Sequence, residues 1–260
     1  MQLGDLLAEL RDNILHDVSD QVAGAVNSDY LWSDATLVRY ISLAQRGFAR
    51  KSKCLRDSVT AQCCQFTTVA LQQQYKLDPS VIAVLSVQMT GDAYDLARAG
   101  HAQLNTYRMP DTYFFDPSSL SNVPPGKPLC YTTDETLVND SDDDLNAVSL
   151  RLFPIPSAAY APIVGSMRVV RLPLNPLSVA NLTARLELPE DYQIDMLDWA
   201  AHLATRKLDV DAGMPDRSKE FAATFEAKCL EAKKDLQMKE FTPAQWGFGG
   251  NGFTWQNNEG

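Results

Sequence analysis

The residues that could carry chemistry in this chain are three histidines, five cysteines and a glycine cluster near the C-terminal end. Cys63 and Cys64 are adjacent and stand beside a predicted strand; with His16, His101 or His202 brought close by folding, either is a candidate thiol nucleophile for a hydrolase. Buried, inert thiols are the commoner state, and no HExxH, GxSxG or Walker loop accompanies these two. Cys54, Cys130 and Cys229 are scattered, there is no CxxC, and the set reads as free thiols in a reducing compartment. Gly247, Gly249 and Gly252 match GxGxxG literally, but a dinucleotide loop needs a strand before it, a helix after it and an acid about 20 residues on. Eight residues follow Gly252, so the match fails on context. Asp140, Asp142 and Asp144 open like a calcium loop, yet Leu145 stands where glycine is required and Arg151 where the bidentate glutamate is. A solvated acidic turn is expected there. The expectation is therefore no catalytic residue, no metal site and no cofactor.

Charge narrows the alternatives further. The chain has 260 residues, a formal net charge of -10 and a pI of about 4.7. A protein that grips phosphate backbones clusters Lys and Arg, so nucleic-acid binding is not expected as its main task. A wall that DNA passes without sticking remains compatible with such a charge. Arg46, Arg50, Lys51, Lys53 and Arg56 crowd one predicted helix end, where positive charge suits the helix dipole; a phosphate-facing patch is the alternative. The N-terminal MQLGDLLAELRDNIL is amphipathic and carries acids early, unlike a signal or transit peptide. No apolar run approaches the roughly 20 residues that span a bilayer, so a soluble protein made in a cytoplasm is expected.

The elements that must position these residues follow from periodicity. Leu3, Leu6, Leu7, Leu10 and Ile14 predict a helix over 2–18. Ser33 is a good N-cap for a second helix over 34–53, with Trp32 stapled to Leu37 and a buried stripe of Leu37, Ile41, Ala44 and Phe48. Strands are predicted over 65–69, 81–87, 129–133, 147–153 and 167–172, the fourth with a buried and a wet face. A short helix is predicted near 96–104 and a long surface loop over 110–127. The stretch 189–211 carries two apolar stripes, Tyr192, Met196, Trp199, Leu203 and Leu197, Ala201, Ala204, Leu208, and predicts the helix around which the chain is organised. A last helix over 216–239 buries Phe221, Phe225, Cys229, Ala232 and Leu236. The pattern is α+β: a four-helix bundle from residues 1–58 and 188–240, an inserted antiparallel β-rich lobe over 59–187, and an extended C-terminal docking arm over 241–260.

The arm, FTPAQWGFGGNGFTWQNNEG, sets large aromatics among glycines. Glycine and Pro243 oppose a helix, and solvated tails are poor in aromatics. Phe241, Trp246, Phe248, Phe253 and Trp255 are the expected contacts to another chain, because aromatic anchors dominate interface energy; a tail folded back on its own subunit is the alternative.

Seven segments in order carry a family resemblance: LWSDATLVRYISLAQRGFARKS, LDPSVIAVLSVQM, GKPLCYTT, LRLFPIPSAAY, VVRLPLNPLS, LPEDYQIDMLDWAAHLATRKLDVDAG and QWGFGGNGFTW. Together the chain resembles the head-to-tail adaptor (connector) proteins of tailed bacteriophages, in particular those of short-tailed phages. The resemblance implies a non-enzymatic structural protein at the head–tail interface of the virion, present in the host cytoplasm during assembly. It implies a homo-oligomer, a dodecamer ring below the portal protein, with a C-terminal extension reaching the portal or a neighbouring subunit. Trp246, Phe248, Phe253 and Trp255 are the positions matching that extension. Tail nozzle and tail fibre proteins are the further partners implied, with DNA passing through the channel without specific binding and no membrane contact. The alternative is another tail-tube or fibre-docking component of the virion.

Overall fold

Leu3, Leu6, Leu7 and Leu10 face inward along the first helix of the computed structural model, which describes residues 1–17, 31–100, 124–133, 136–137, 147–206 and 215–240. Helix α1 (Leu3–Ala8) starts where the Asp5 carboxylate accepts the Gln2 amide at 2.9 Å. From Glu9 to Leu15 the helix continues with the wider π spacing. The extra residue in that turn shifts the apolar phase, so Leu15 is buried and Ile14, expected inside, is half-buried. The same shift buries Arg11, which donates to Asp34 Oδ1 at 2.7 Å and to the Trp32 carbonyl at 2.6 Å.

Helix α2 (Asp34–Ser52) begins as expected: the Ser33 hydroxyl accepts the Thr36 amide at 3.3 Å. Leu37, Ile41, Ala44 and Phe48 are fully buried, and Trp32 is buried in the same cluster. Lys53, with φ 58°, closes the helix through its amide on the Ala49 carbonyl.

Short elements follow: β1 (Arg56–Asp57), α3 (Ala61–Cys64), β2 (Gln65–Thr67), β3 (Gln74–Lys76), β4 (Val81–Met89), β5 (Ala97–Arg98), β6 (Cys130–Thr132), β7 (Thr136–Leu137), β8 (Ala147–Phe153) and β9 (Val164–Arg171). In one sheet β9 is central, with β4 on one side and β1 and β2 in line on the other. In the second, β8 is central, flanked by β3 on one side and by β6 and β7 on the other. Among the described strands the pairings are antiparallel except that of β5, which lies parallel outside β6. Val84, Val87, Met167 and Val169 of the first sheet and Tyr75, Tyr131, Leu150 and Leu152 of the second share one apolar core.

The predicted helix over 96–104 is corrected at its start, because Ala97 and Arg98 are extended and pair with Cys130 and Tyr131. The wet face predicted for β8 is corrected too: Ser149 is buried and Arg151 half-buried, so that face is largely covered. The chain over 110–123 and the acidic turn around Asp140 lie outside the described residues.

After β9 the chain returns to the helices. The single helix expected over 189–211 is corrected: a 3-10 turn (Glu190–Tyr192), capped by Pro189, precedes α4 (Leu197–Thr205). Gln193, buried where the helix was to continue, instead donates its side-chain amide to the Leu188 carbonyl at 2.7 Å, fixing that turn. The expected wide face is present, with Met196, Leu197, Ala200, Ala201 and Ala204 all buried. Helix α5 (Pro215–Glu240) buries Phe225, Cys229 and Ala232, with Phe221 and Leu236 half-buried. Small side chains on α4 let α2 and α5 approach closely, and Phe48, Tyr192, Trp199 and Phe225 stack where they meet. The molecule is thus mixed α+β, with five α-helices and two sheets among the described residues.

Candidate functional site

Arg171, the last residue of β9, sits where the chain passes between the β core and the helices. Its Nε donates to Asp57 Oδ2 at 2.7 Å, and its terminal nitrogen donates to Glu187 and, at 3.1 Å, to the Leu172 carbonyl. Asp57 also accepts the amides of Val59 and Thr60 at 2.9 and 3.1 Å and the Thr60 hydroxyl at 2.7 Å. Burial alone would raise the Asp57 carboxyl, but these donors hold it well below the usual carboxylate range. Glu187 accepts the amides of Leu174 and Asn175; burial again works upward, and Arg171 foremost draws the carboxyl down. This is a structural clasp with its lone pairs filled, not a poised acid or base.

Cys63 and Cys64 lie beside it, their sulfurs 3.6 Å apart. With Asp57 they form a group whose ligand atoms fall within 4.8 Å of one another. The chemistry does not suit a metal: both Asp57 oxygens already accept hydrogen bonds, and burial pushes the Cys64 thiol up to about 12 and raises Cys63. A thiol held protonated is also a poor nucleophile. His202 is engaged elsewhere, its Nδ1 2.8 Å from the Ser218 carbonyl and 3.0 Å from the Ser218 hydroxyl. An Nδ1–H that donates to a carbonyl cannot take a hydroxyl proton, so this pair locks α4 to α5. His16 is exposed at the left-handed end of the first helix, and His101 lies outside the described residues.

The surfaces are more informative. The basic group predicted at the end of α2 divides in three dimensions. Lys51 turns across to Glu226 and lies over the rings of Trp199 and Phe225, at 5.4 and 5.6 Å. Arg56 is half-buried in β1. Arg46, Arg50 and Lys53 stay exposed and share one face with Arg39, which sequence reading left out. These four follow i, i+7, i+11, i+14, a spacing that was there to be read. Among the described residues none of the four has an ion-pair partner. At the N-terminal end of the same face, Ala35, Val38, Arg39, Ser42 and Leu43 form a groove of about 320 Å³ with Leu177, Ser178 and Val179.

A second depression, of about 400 Å³, lies at the far end of α5, lined by Asp191, Tyr192, Asp235, Met238 and Lys239. Burial, and after it the negative charge nearby with Asp235 foremost, raises the Tyr192 phenol. Met238 is 75% exposed at its edge.

Phe241, Trp246, Phe248, Phe253 and Trp255, the expected docking residues, lie outside the described residues, immediately beyond the last residue of α5. A family model described as SU10 adaptor protein matches residues 1–245. No curated protein matches the chain.

Proposed function

The chain belongs to the SU10 adaptor protein family, and from that premise we propose that it is a head-to-tail adaptor, a ring-forming subunit that joins the portal vertex to the tail and surrounds the DNA channel. Its family makes it a phage adaptor, a structural component of the virion. The match over 1–245 is the observation that carries the reading. The fold supports it physically. One apolar cluster recruits side chains from Leu3 to Leu55 and from Leu186 to Ala232, so the helices before and after the β region share one core. In this reading residues 1–58 and 188–240 are the four-helix bundle, 59–187 the inserted β-rich lobe and 241–260 the docking arm. Helix α5 runs on from the buried Ala232 for eight residues, about 12 Å, to Glu240, where the arm begins.

The arm supplies the coupling. Phe241, Trp246, Phe248, Phe253 and Trp255 bind the portal protein or a neighbouring subunit, each ring filling a pocket while the glycines let the backbone follow its host. The ring is a dodecamer, the β-rich lobe faces the tail nozzle or fibres, and the net charge of -10 lets DNA pass without adhering.

The test compares the full chain with one ending at Glu240 for attachment to purified portal, viewed by negative-stain microscopy. The truncated chain is expected to keep its circular dichroism and to lose attachment. Normal attachment by the truncated chain overturns the role of the arm. A full chain that assembles alone and never engages the portal favours a tail-tube or fibre-docking component instead.

A further inference from the structure

We propose that the outer face of α2 is one half of a contact between copies of this chain, and that the acidic depression at Asp191, Tyr192, Asp235 and Met238 of the next copy is the other half. The inference rests on the ring reading above and names the surfaces that build it.

Among the described residues four cations have no ion-pair partner, on a chain whose formal charge is -10. Arg39, Arg46, Arg50 and Lys53 cover 14 residues of helix, about 21 Å, and all are exposed. They lie opposite Leu37, Ile41, Ala44 and Phe48 on the helical wheel, so the face points away from α4 and α5. Suiting a helix terminus explains Arg50 and Lys53, in the last turn and at the cap. It does not explain Arg39, near the first turns, or Arg46.

The groove on the same face decides the kind of partner. Its Val38 is buried, while Leu43 at 44% and Val179 at 38% exposure present apolar surface beside Arg39. A phosphate backbone has no use for an apolar groove; a protein surface carrying carboxylates beside apolar side chains does.

This chain has such a surface. Asp191 and Asp235 are exposed carboxylates flanking Tyr192 and the projecting Met238, and Ile194 nearby is 49% exposed. Lys239 also lines the depression and is already engaged within the chain. The α2 half faces outward, opposite the buried stripe of that helix, so it is open to a second copy. Head-to-tail docking leaves each copy with a free half of each kind, which is the geometry that propagates into a ring. Met238 enters the groove beside Leu43, and the carboxylates meet the arginines.

The experiment uses Arg46→Glu/Arg50→Glu and Asp191→Lys/Asp235→Lys, alone and mixed, followed by sedimentation velocity and native mass spectrometry. All four positions are exposed, so thermal melts are expected to match the unchanged chain. Each variant alone is expected to self-associate at least tenfold more weakly, because like charges then face each other. Mixed in equal amounts they are expected to recover, since each reversed face meets its complement. Unchanged association of the single variants, or no recovery on mixing, overturns the contact. An unchanged chain that stays monomeric overturns it as well, whereas attachment to portal separately judges the adaptor reading. Binding of a short DNA duplex that is lost in Arg46→Glu/Arg50→Glu gives the face to a phosphate backbone and likewise overturns the proposal.

Discussion

Arg171 and Asp57, 114 residues apart in sequence, meet at 2.7 Å between Nε and Oδ2, and Glu187 completes the clasp on the other side of the guanidinium. The three side chains come from the end of β9, from β1 and from the segment before α4, so the clasp closes both chain crossings between the helices and the β core. Removing the cation leaves two largely buried carboxylates without their charge partner. Arg171→Met is expected to lower unfolding stability by about 3 kcal/mol or more, measured by urea titration. A change below 1 kcal/mol would mean the amide donors alone satisfy the carboxylates.

The same clasp sets an acid response. Asp57 and Glu187 both have folded pKa values below their unfolded ones, which are about 3.9 and 4.3. Their stabilisation is therefore complete above about pH 5 and fades as pH falls through the folded values. Glu187→Gln is expected to be less stable at pH 7 and to lose stability less steeply between about pH 5 and 2. Parallel acid limbs for the two proteins would place the response elsewhere.

Two glycines are expected to answer substitution in opposite directions. A methyl group on Gly47, within α2, would meet nothing nearer than a Phe225 ring carbon at 3.8 Å. Gly47→Ala should raise stability by roughly 0.5–1 kcal/mol through the helix backbone entropy alone. At Gly165 the Phe66 ring from the paired strand would lie 2.3 Å from the new carbon. Gly165→Ala must displace that ring and should lower stability by about 1–3 kcal/mol. Thermal melts of the two variants that shift in the same direction would contradict this packing.

Arg11 ties the π segment to the start of α2 through Asp34 and the Trp32 carbonyl, while Asp17 lies 3.4 Å from its Nε and accepts the Leu31 amide at 2.8 Å. Arg11→Met is expected to cost about 3 kcal/mol, with hydrogen exchange quickening first in α1 and the first turn of α2. Exchange that quickens uniformly would show that the tie is not local.

All five thiols are buried, and burial pushes Cys64 and Cys229 up to about 12 and Cys130 to about 11. The folded protein should react slowly with a thiol reagent at pH 8 and release five equivalents only on unfolding. A fast native equivalent, abolished by Cys63→Ala/Cys64→Ala, would revive the nucleophile reading.

The long periodic elements were legible in the amino-acid order. Helix α2 with its Ser33 cap, helix α5, and strands β4 and β8 carry enough repeats for an apolar face to declare itself. What the order could not show depends on partners distant in sequence. Strands of two or three residues, such as β1, β3 and β5, have no period of their own and exist because a neighbouring strand completes their hydrogen bonds. The π turn moves one residue's phase, so Leu15 replaces Ile14 in the core and Arg11 enters with it. The helix over 189–211 shortened because Gln193 found the Leu188 carbonyl and the turn packed as it stood. Spacing alone placed Arg39, Arg46, Arg50 and Lys53 on one side of a helix; only the packed structure, by leaving no carboxylate opposite them among the described residues while giving Lys51 to Glu226, made that side a surface still in want of charge.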